Sequence, residues 1–400
     1  KLTQPLCRDF IKKPLTEKRN EVSIAAGSFG TLRATADFTG PLNDSKTLLY
    51  RLNAAIQEAD SFRDVVNNNA ILVSPSLSYV PNESTSLNVE IIYSDAEGNL
   101  DRGQPIFGAI NGNFDLNSTP ITRNVGASND HYKNKEFIFM ANFSKKFTEN
   151  FGFNAQYMKQ TWDEDLAEHR VDGTAVDIDG NVIPTLARMR YDRRQQFWET
   201  DNFSGYFTYD IKTDNITNKL LVGYDATRWE RKIGAGFLRA RKYLTTGGGQ
   251  ANFDPDIRDD FQQMVVNDIT MPVPAGPHFD LDNPFNGASN TNAYNLSELT
   301  IPANLNTSHG VYFQNQFKIG KFSALINLRY EWFTDIFDYE GDEEEFETNA
   351  FVPRLGLTYE VTNTISAYAT YLQGFQPHTN TVSISPTAEG IFWSASQSRM

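Results

Sequence analysis

An antiparallel transmembrane β-barrel is the fold class this sequence predicts, and three observations predict it. Apolar and polar residues alternate with period two through segments of about ten residues. The segments are joined in turn by tight polar turns and by long irregular connections. No run approaches the ~20 consecutive apolar residues of a membrane helix, while the mean hydropathy is negative at -0.47, as alternating strands require.

The alternation can be followed along the chain. Residues 21–27 and 31–40 read as the first two strands. In 151–162, Phe151, Phe153, Ala155 and Tyr157 fall on one face, with Gly152, Asn154, Gln156 and Met158 opposite. Phe203, Phe207, Tyr209 and Ile211 stand against Ser204, Thr208 and Asp210, and Val311, Phe313, Phe317 and Ile319 against Gln314, Gln316 and Lys318. Phe322, Ala324, Ile326, Leu328, Tyr330 and Trp332 share a face, with Ser323, Asn327, Arg329 and Glu331 on the other. Tight turns fall near 43–45, 81–84, 148–150, 214–218, 320–321 and 362–364, and long connections at 98–134, 165–199, 233–308 and 340–348. One rim of short turns and one of long loops is how outer-membrane barrels are built.

About thirteen strands result, ending at 365–375. With an odd number, the first and last both run from the short-turn rim to the long-loop rim and do not close antiparallel. Open edges in lipid leave backbone groups unpaired at several kcal/mol each, so the expectation is a barrel that continues past Met400. Rings at strand ends (Tyr50, Tyr93, Phe147, Trp162, Trp198, Trp229, Trp332 and Tyr371) suit the two interfacial girdles of such a wall.

Composition narrows the function classes. The net charge is -14 and no basic patch is dense enough to neutralise a run of phosphates, which excludes nucleic acid as a partner. Cys7 is the one cysteine, so there is no disulfide framework. The histidines, His131, His169, His278, His309 and His378, are far apart in sequence and read as solvated loop residues rather than metal ligands. Glu168-His169 lacks the second histidine of a zinc-protease helix. Gly247-Gly248-Gly249 has no following Lys-Ser or Lys-Thr and reads as a loop tip. Asp177-Ile178-Asp179-Gly180-Asn181 resembles the start of a calcium loop, but Arg188 stands where the bidentate glutamate belongs, and a hairpin tip is the better account. The acidic run Asp342-Glu343-Glu344-Glu345 reads as a solvated loop on the long-loop side. No catalytic constellation is present, no cofactor or metal site is expected, and the reading is of a binding protein rather than an enzyme.

Several stretches look familiar. Lys12-Lys13-Pro14, Glu21 to Gly30 (EVSIAAGSFG), Arg33-Ala34-Thr35-Ala36-Asp37, Tyr50 to Ala55 (YRLNAA), Asp60 to Asp64 (DSFRD), Pro353 to Tyr359 (PRLGLTY) and Ala367 to Pro377 (AYATYLQGFQP) occur in order. The set resembles TonB-dependent siderophore receptors of the outer membrane of Gram-negative bacteria. The resemblance implies a barrel of roughly 22 strands around a plug domain. On that reading 1–14 is the end of the plug, 15–400 is the N-terminal part of the barrel, and the rest of the plug and barrel lies outside this chain. Pro5 to Ile11 (PLCRDFI) departs from the apolar strand that leads into the Lys-Lys-Pro run in that family. The resemblance also implies a ferric siderophore as cargo, with iron present only within it. It implies energy from the TonB-ExbB-ExbD system through a plug segment, and contact with outer-membrane lipid and lipopolysaccharide.

Flat rings and guanidinium groups are natural contacts for ferric chelates, through stacking and ion pairing. They are densest at 188–198 and 228–243, and the candidate substrate-binding residues are Arg190, Tyr191, Arg194, Trp198, Arg228, Trp229, Arg239 and Tyr243. The rival reading of these residues is rim arginines that contact lipid phosphates. The same architecture also carries oligosaccharide, cobalamin or haem, and a passive porin or a soluble β-rich adhesin are the readings from other classes.

Overall fold

The computed structural model describes residues 12–103, 119–232 and 236–377. Nine strands come first: β1 (Arg19–Ala26), β2 (Leu32–Pro41), β3 (Leu48–Asp60), β4 (Asn67–Asn82), β5 (Thr85–Gly98), β6 (His131–Lys146), β7 (Phe151–Val176), β8 (Val182–Lys212) and β9 (Ile216–Arg231). The connection after β9 carries short strands: β10 (Phe237–Ala240), β11 (Tyr243–Leu244), β12 (Gln250–Ala251), β13 (Gln263–Val266), β14 (Ile269–Pro272), β15 (His278–Asp280) and β16 (Ser297–Leu299). The wall then resumes with β17 (Asn304–Ile319), β18 (Phe322–Phe337), β19 (Glu344–Glu360) and β20 (Ser366–Leu372).

Among the described residues, β1 to β9 and β17 to β20 form one continuous antiparallel path, each strand paired with the next. That path has the expected thirteen strands, and the sheet stays open between β1 and β20, which run in the same direction.

Cross-strand pairs fix which residues share a face. Phe153 opposes Phe207, Phe207 opposes Val222, Val222 opposes Phe313, and Phe313 opposes Leu328. This apolar face has no second layer over it: Phe207 is 47% exposed and Val222 53%. A soluble sandwich would bury these side chains, so the open face identifies a lipid-facing wall. The other face is polar, and its charges pair with one another. Arg329 crosses to Asp225 at 2.7 and 2.8 Å and also meets Glu331 at 2.8 Å. It does so over Gly310, where a Cβ would stand 2.1 Å from the guanidinium.

The strands differ from the sequence reading in the upper part of the wall. Residues 165–199, expected as an irregular loop, are mostly a β-hairpin. β7 is 26 residues long and β8 is 31, whereas a barrel strand needs about 9–11 to cross the membrane. The hairpin therefore projects well past the bilayer. Its tip is the expected Asp-Gly turn: Gly180 has φ +84, and the Asp177 carboxylate accepts from the Asp179 and Asn181 backbone N–H groups at 2.9 and 2.8 Å. Likewise β19 begins at Glu344, so Glu344 and Glu345 pair with Phe337 and Ile336 and are not in a loop.

Apolar packing concentrates around this hairpin. Ala167, Tyr191, Ala240 and Ala275 form one cluster, Ala175, Ile183, Leu186 and Met271 a second, and Ala187, Met189 and Phe279 a third. In each, residues of β7 or β8 meet the connection after β9. That connection adds β10 to the edge of β8 at Tyr191 to Arg194, and β15 at Leu186 to Arg188.

Candidate functional site

Alternation along the projecting hairpin sends two sets of side chains to its two faces. Trp162, Glu164, Glu168 and Arg170 of β7 share the polar face with Arg190, Asp192, Arg194 and Trp198 of β8. β10 adds Phe237 and Arg239 opposite Arg194 and Asp192. The acids are buried, with Asp192 1% exposed, and each is paired with at least one guanidinium. Arg170 lies 3.1 Å from Asp192, Arg190 2.9 Å and Arg239 3.0 Å. Arg194 meets Glu164 at 2.5 Å, and Arg102 grips Glu168 through two nitrogens at 2.7 and 2.8 Å. The Phe237 ring lies under both Arg239 and Arg194, at 4.1 and 5.2 Å. Nearer the membrane, Trp162 and Trp198 stack at 5.4 Å with planes 13° apart, and Arg231 lies over Trp229 at 5.9 Å.

The opposite face carries a different network. His169 is buried in β7, its Nδ1 bonded to Asp130 at 2.6 Å and its Nε2 to the Tyr294 hydroxyl at 2.9 Å. Tyr191 packs against both rings at 4.9 and 5.5 Å. His278, in β15, belongs instead with the first face, as the cross-strand partner of Arg188, and its pKa is held down to about 4 by burial and then by the charge of Arg188.

The predicted site residues therefore divide. Arg190, Arg194, Trp198, Trp229 and Arg239 come together on one face. Tyr191 and Arg228 fall on the other, Arg228 sharing Glu230 with Lys232. Tyr243 is fully buried beneath Arg188, 5.2 Å away, and serves packing. Arg102, Arg170 and Trp162 were missed. Strand register groups Trp162 and Arg170 with the others, and Arg102 arrives from the connection after β5 through its ion pair with Glu168.

Two other expectations are corrected. Trp162, Trp198 and Trp229 are not girdle residues, because unbroken pairing places them on the face turned away from that of Phe207 and Val222. Nor are the histidines solvated loop residues: His131 opens β6 and bonds Asp165 at 3.0 Å, His169 is inside β7, His278 lies in β15 and His309 in β17 bonds Tyr224 at 2.7 Å. His378 lies outside the described residues. Among the described residues, no three His, Cys, Asp or Glu side chains are gathered as a metal site.

An open-faced antiparallel wall with short turns on one rim, and an aromatic–guanidinium surface on the polar side of a projecting hairpin, defines an outer-membrane β-barrel of receptor type. The chain belongs to the TonB dependent receptor-like, beta-barrel family, whose model matches residues 73–394. It is similar to the metal-pseudopaline receptor of Pseudomonas aeruginosa, 28% identical over 54% of this chain and 29% of that protein. It is also similar to the ferrichrome outer membrane transporter/phage receptor of Escherichia coli, 21% identical over 92% of this chain and 47% of that one. Among solved structures, the siderophore receptor PiuA of Acinetobacter baumannii superposes with a TM-score of 0.66 at 16% identity, over 90% of this chain and 50% of that one. The chain thus spans half or less of these relatives. Its place is the outer membrane of a Gram-negative cell, and the polar face is the face of the lumen.

Proposed function

We propose that this protein serves the TonB-dependent uptake of an iron–siderophore complex across the outer membrane, with the upper lumen wall as part of the cargo site. The observation that supports it is the convergence of Arg190, Arg194, Arg239, Trp198 and Trp229 on one inward surface above the bilayer. The relatives named above are receptors for metal-pseudopaline, for ferrichrome and for a siderophore, and the cargo class on this reading is a metal ion wrapped in an organic chelator. Transport itself calls for a plug that contacts TonB-ExbB-ExbD, and the residues described here supply the wall and mouth. The lipid-facing rim also carries paired charges that suit lipopolysaccharide, including Lys133 with Glu97 at 2.7 Å.

Uptake of radioactive iron presented as a panel of purified siderophores tests the reading. Cells that carry the gene are expected to accumulate at least one member of the panel, and cells lacking the gene or lacking TonB are not. Uptake of haem, cobalamin or an oligosaccharide in place of every iron chelate would replace the proposed cargo. Uptake independent of TonB would replace the mechanism with passive diffusion.

A further inference from the structure

Charge on the two faces of the projecting hairpin is unequal. On the lumen face, Arg102, Arg170, Arg188, Arg190, Arg194 and Arg239 share only Glu164, Glu168, Asp172 and Asp192. On the lipid-side face the paired charges are even: Lys159 lies between Glu199 and Asp201, Arg193 meets Asp165, and Arg228 and Lys232 share Glu230. With a chain charge of -14, this cationic surplus on the lumen side is a local feature, and it is Arg102 and Arg239, from the connections after β5 and β9, that tip the hairpin's even charges.

Hydrogen bonding adds an independent observation. The Nε–H groups of Arg188, Arg190 and Arg239 are buried and meet no aligned acceptor, although the last two lie within 3.0 Å of Asp192. One carboxylate cannot align with three guanidiniums at once, and the Asp192 Oδ1 is itself buried without an aligned donor. Arg231, just below, also has a buried Nε–H without an acceptor, and burial holds its pKa down. A buried donor left without a partner costs about 1–3 kcal/mol. These arginines still keep open edges, with 19% of the Arg190 side chain and 24% of Arg239 exposed. The missing partners are planar anionic oxygens, which a guanidinium fork engages in pairs.

We infer that the cargo taken by this wall is a polyanionic metal chelate, one that presents free carboxylates beyond those that hold the metal. Arg190 and Arg239 select it by charge and by fork geometry, while Trp198 and Trp229 supply flat contact below them. Chelates with no net charge gain the stacking and lose the ion pairing. Cationic chelates are repelled.

The inference rests on the receptor reading above, and the experiment separates the two. Quenching of tryptophan fluorescence is measured on protein extracted from outer membranes in detergent. The probes are ferric citrate, as a polycarboxylate chelate, and a neutral ferric trihydroxamate. Tighter binding of ferric citrate is expected, weakening as salt rises. The pair Arg190→Gln with Arg239→Gln is expected to lower citrate affinity about 100-fold and trihydroxamate affinity less than threefold. Arg239→Lys, which keeps charge but not the fork, falls between. Arg193→Gln, on the other face, leaves both probes unchanged and reports on folding, together with resistance to trypsin. Equal affinity for the two probes, or equal loss of both in the double variant, overturns the charge inference and leaves the receptor reading standing. Failure of both probes to bind the folded protein overturns the two together.

Discussion

His278 shows how one buried ring makes the mouth sensitive to acid. Its ordinary value near 6.5 is lowered in the fold to about 4, so the folded state disfavours the proton. The stability that the neutral ring contributes is fully present above about 6.5 and is lost as pH falls through about 4. Protection against hydrogen exchange at His278–Asp280, taken relative to the intrinsic rate at each pH, is therefore expected to fall between pH 6.5 and 4, and His278→Gln to flatten that dependence. Arg51 is a second instance. It holds Asp37 at 2.5 and 2.8 Å, and both are buried. Arg51→Ala is expected to cost about 3 kcal/mol in urea unfolding, because it leaves a buried carboxylate short of its partner. Arg19→Ala breaks a solvent-exposed pair with Glu21 and is expected to cost well under 1 kcal/mol. Individual residues were the least legible level of the sequence. Arg190, Arg194 and Arg239 were found because arginine is conspicuous in an acidic chain. Their acids were not, because Glu164 and Asp192 become partners only through pairing across β7 and β8.

At the scale of elements, most of the wall could be read directly, and the reason is physical. Where lipid lies on one side and water on the other, each position must choose, and the period of two survives in the sequence. The lower halves of β7 and β8, and β17 and β18, were legible for this reason. The upper halves of β7 and β8 have protein on one side and ion pairs on the other, so Leu166, Ala167, Glu168 and His169 are all buried in succession. Alternation disappears there, and two register shifts, at Val171/Gly173 and Thr174/Ala175, blur it further. A trimmed hairpin, with 170–190 replaced by Asn-Gly, tests which element organises the mouth. The barrel wall is expected to keep its heat-modifiable mobility in electrophoresis. The connection after β9 is expected to become protease-sensitive, since β15 and two of the three apolar clusters lose their support.

At the scale of the molecule, the open apolar face makes the strongest demand. Val222→Arg sets a charge among Phe207, Phe313 and their neighbours and is expected to cost about 2–4 kcal/mol, seen as reduced recovery in the outer-membrane fraction. Gln314→Arg, on the lumen side, is expected to assemble normally. The three tight apolar clusters gather on the hairpin, above the bilayer, whereas the wall below relies on its hydrogen-bonded ladder and on lipid. Mouth and wall therefore draw their cohesion from separate sources. Substitutions that reshape the entrance for a new cargo leave the membrane anchor untouched, and one inherited cylinder can serve many different doors.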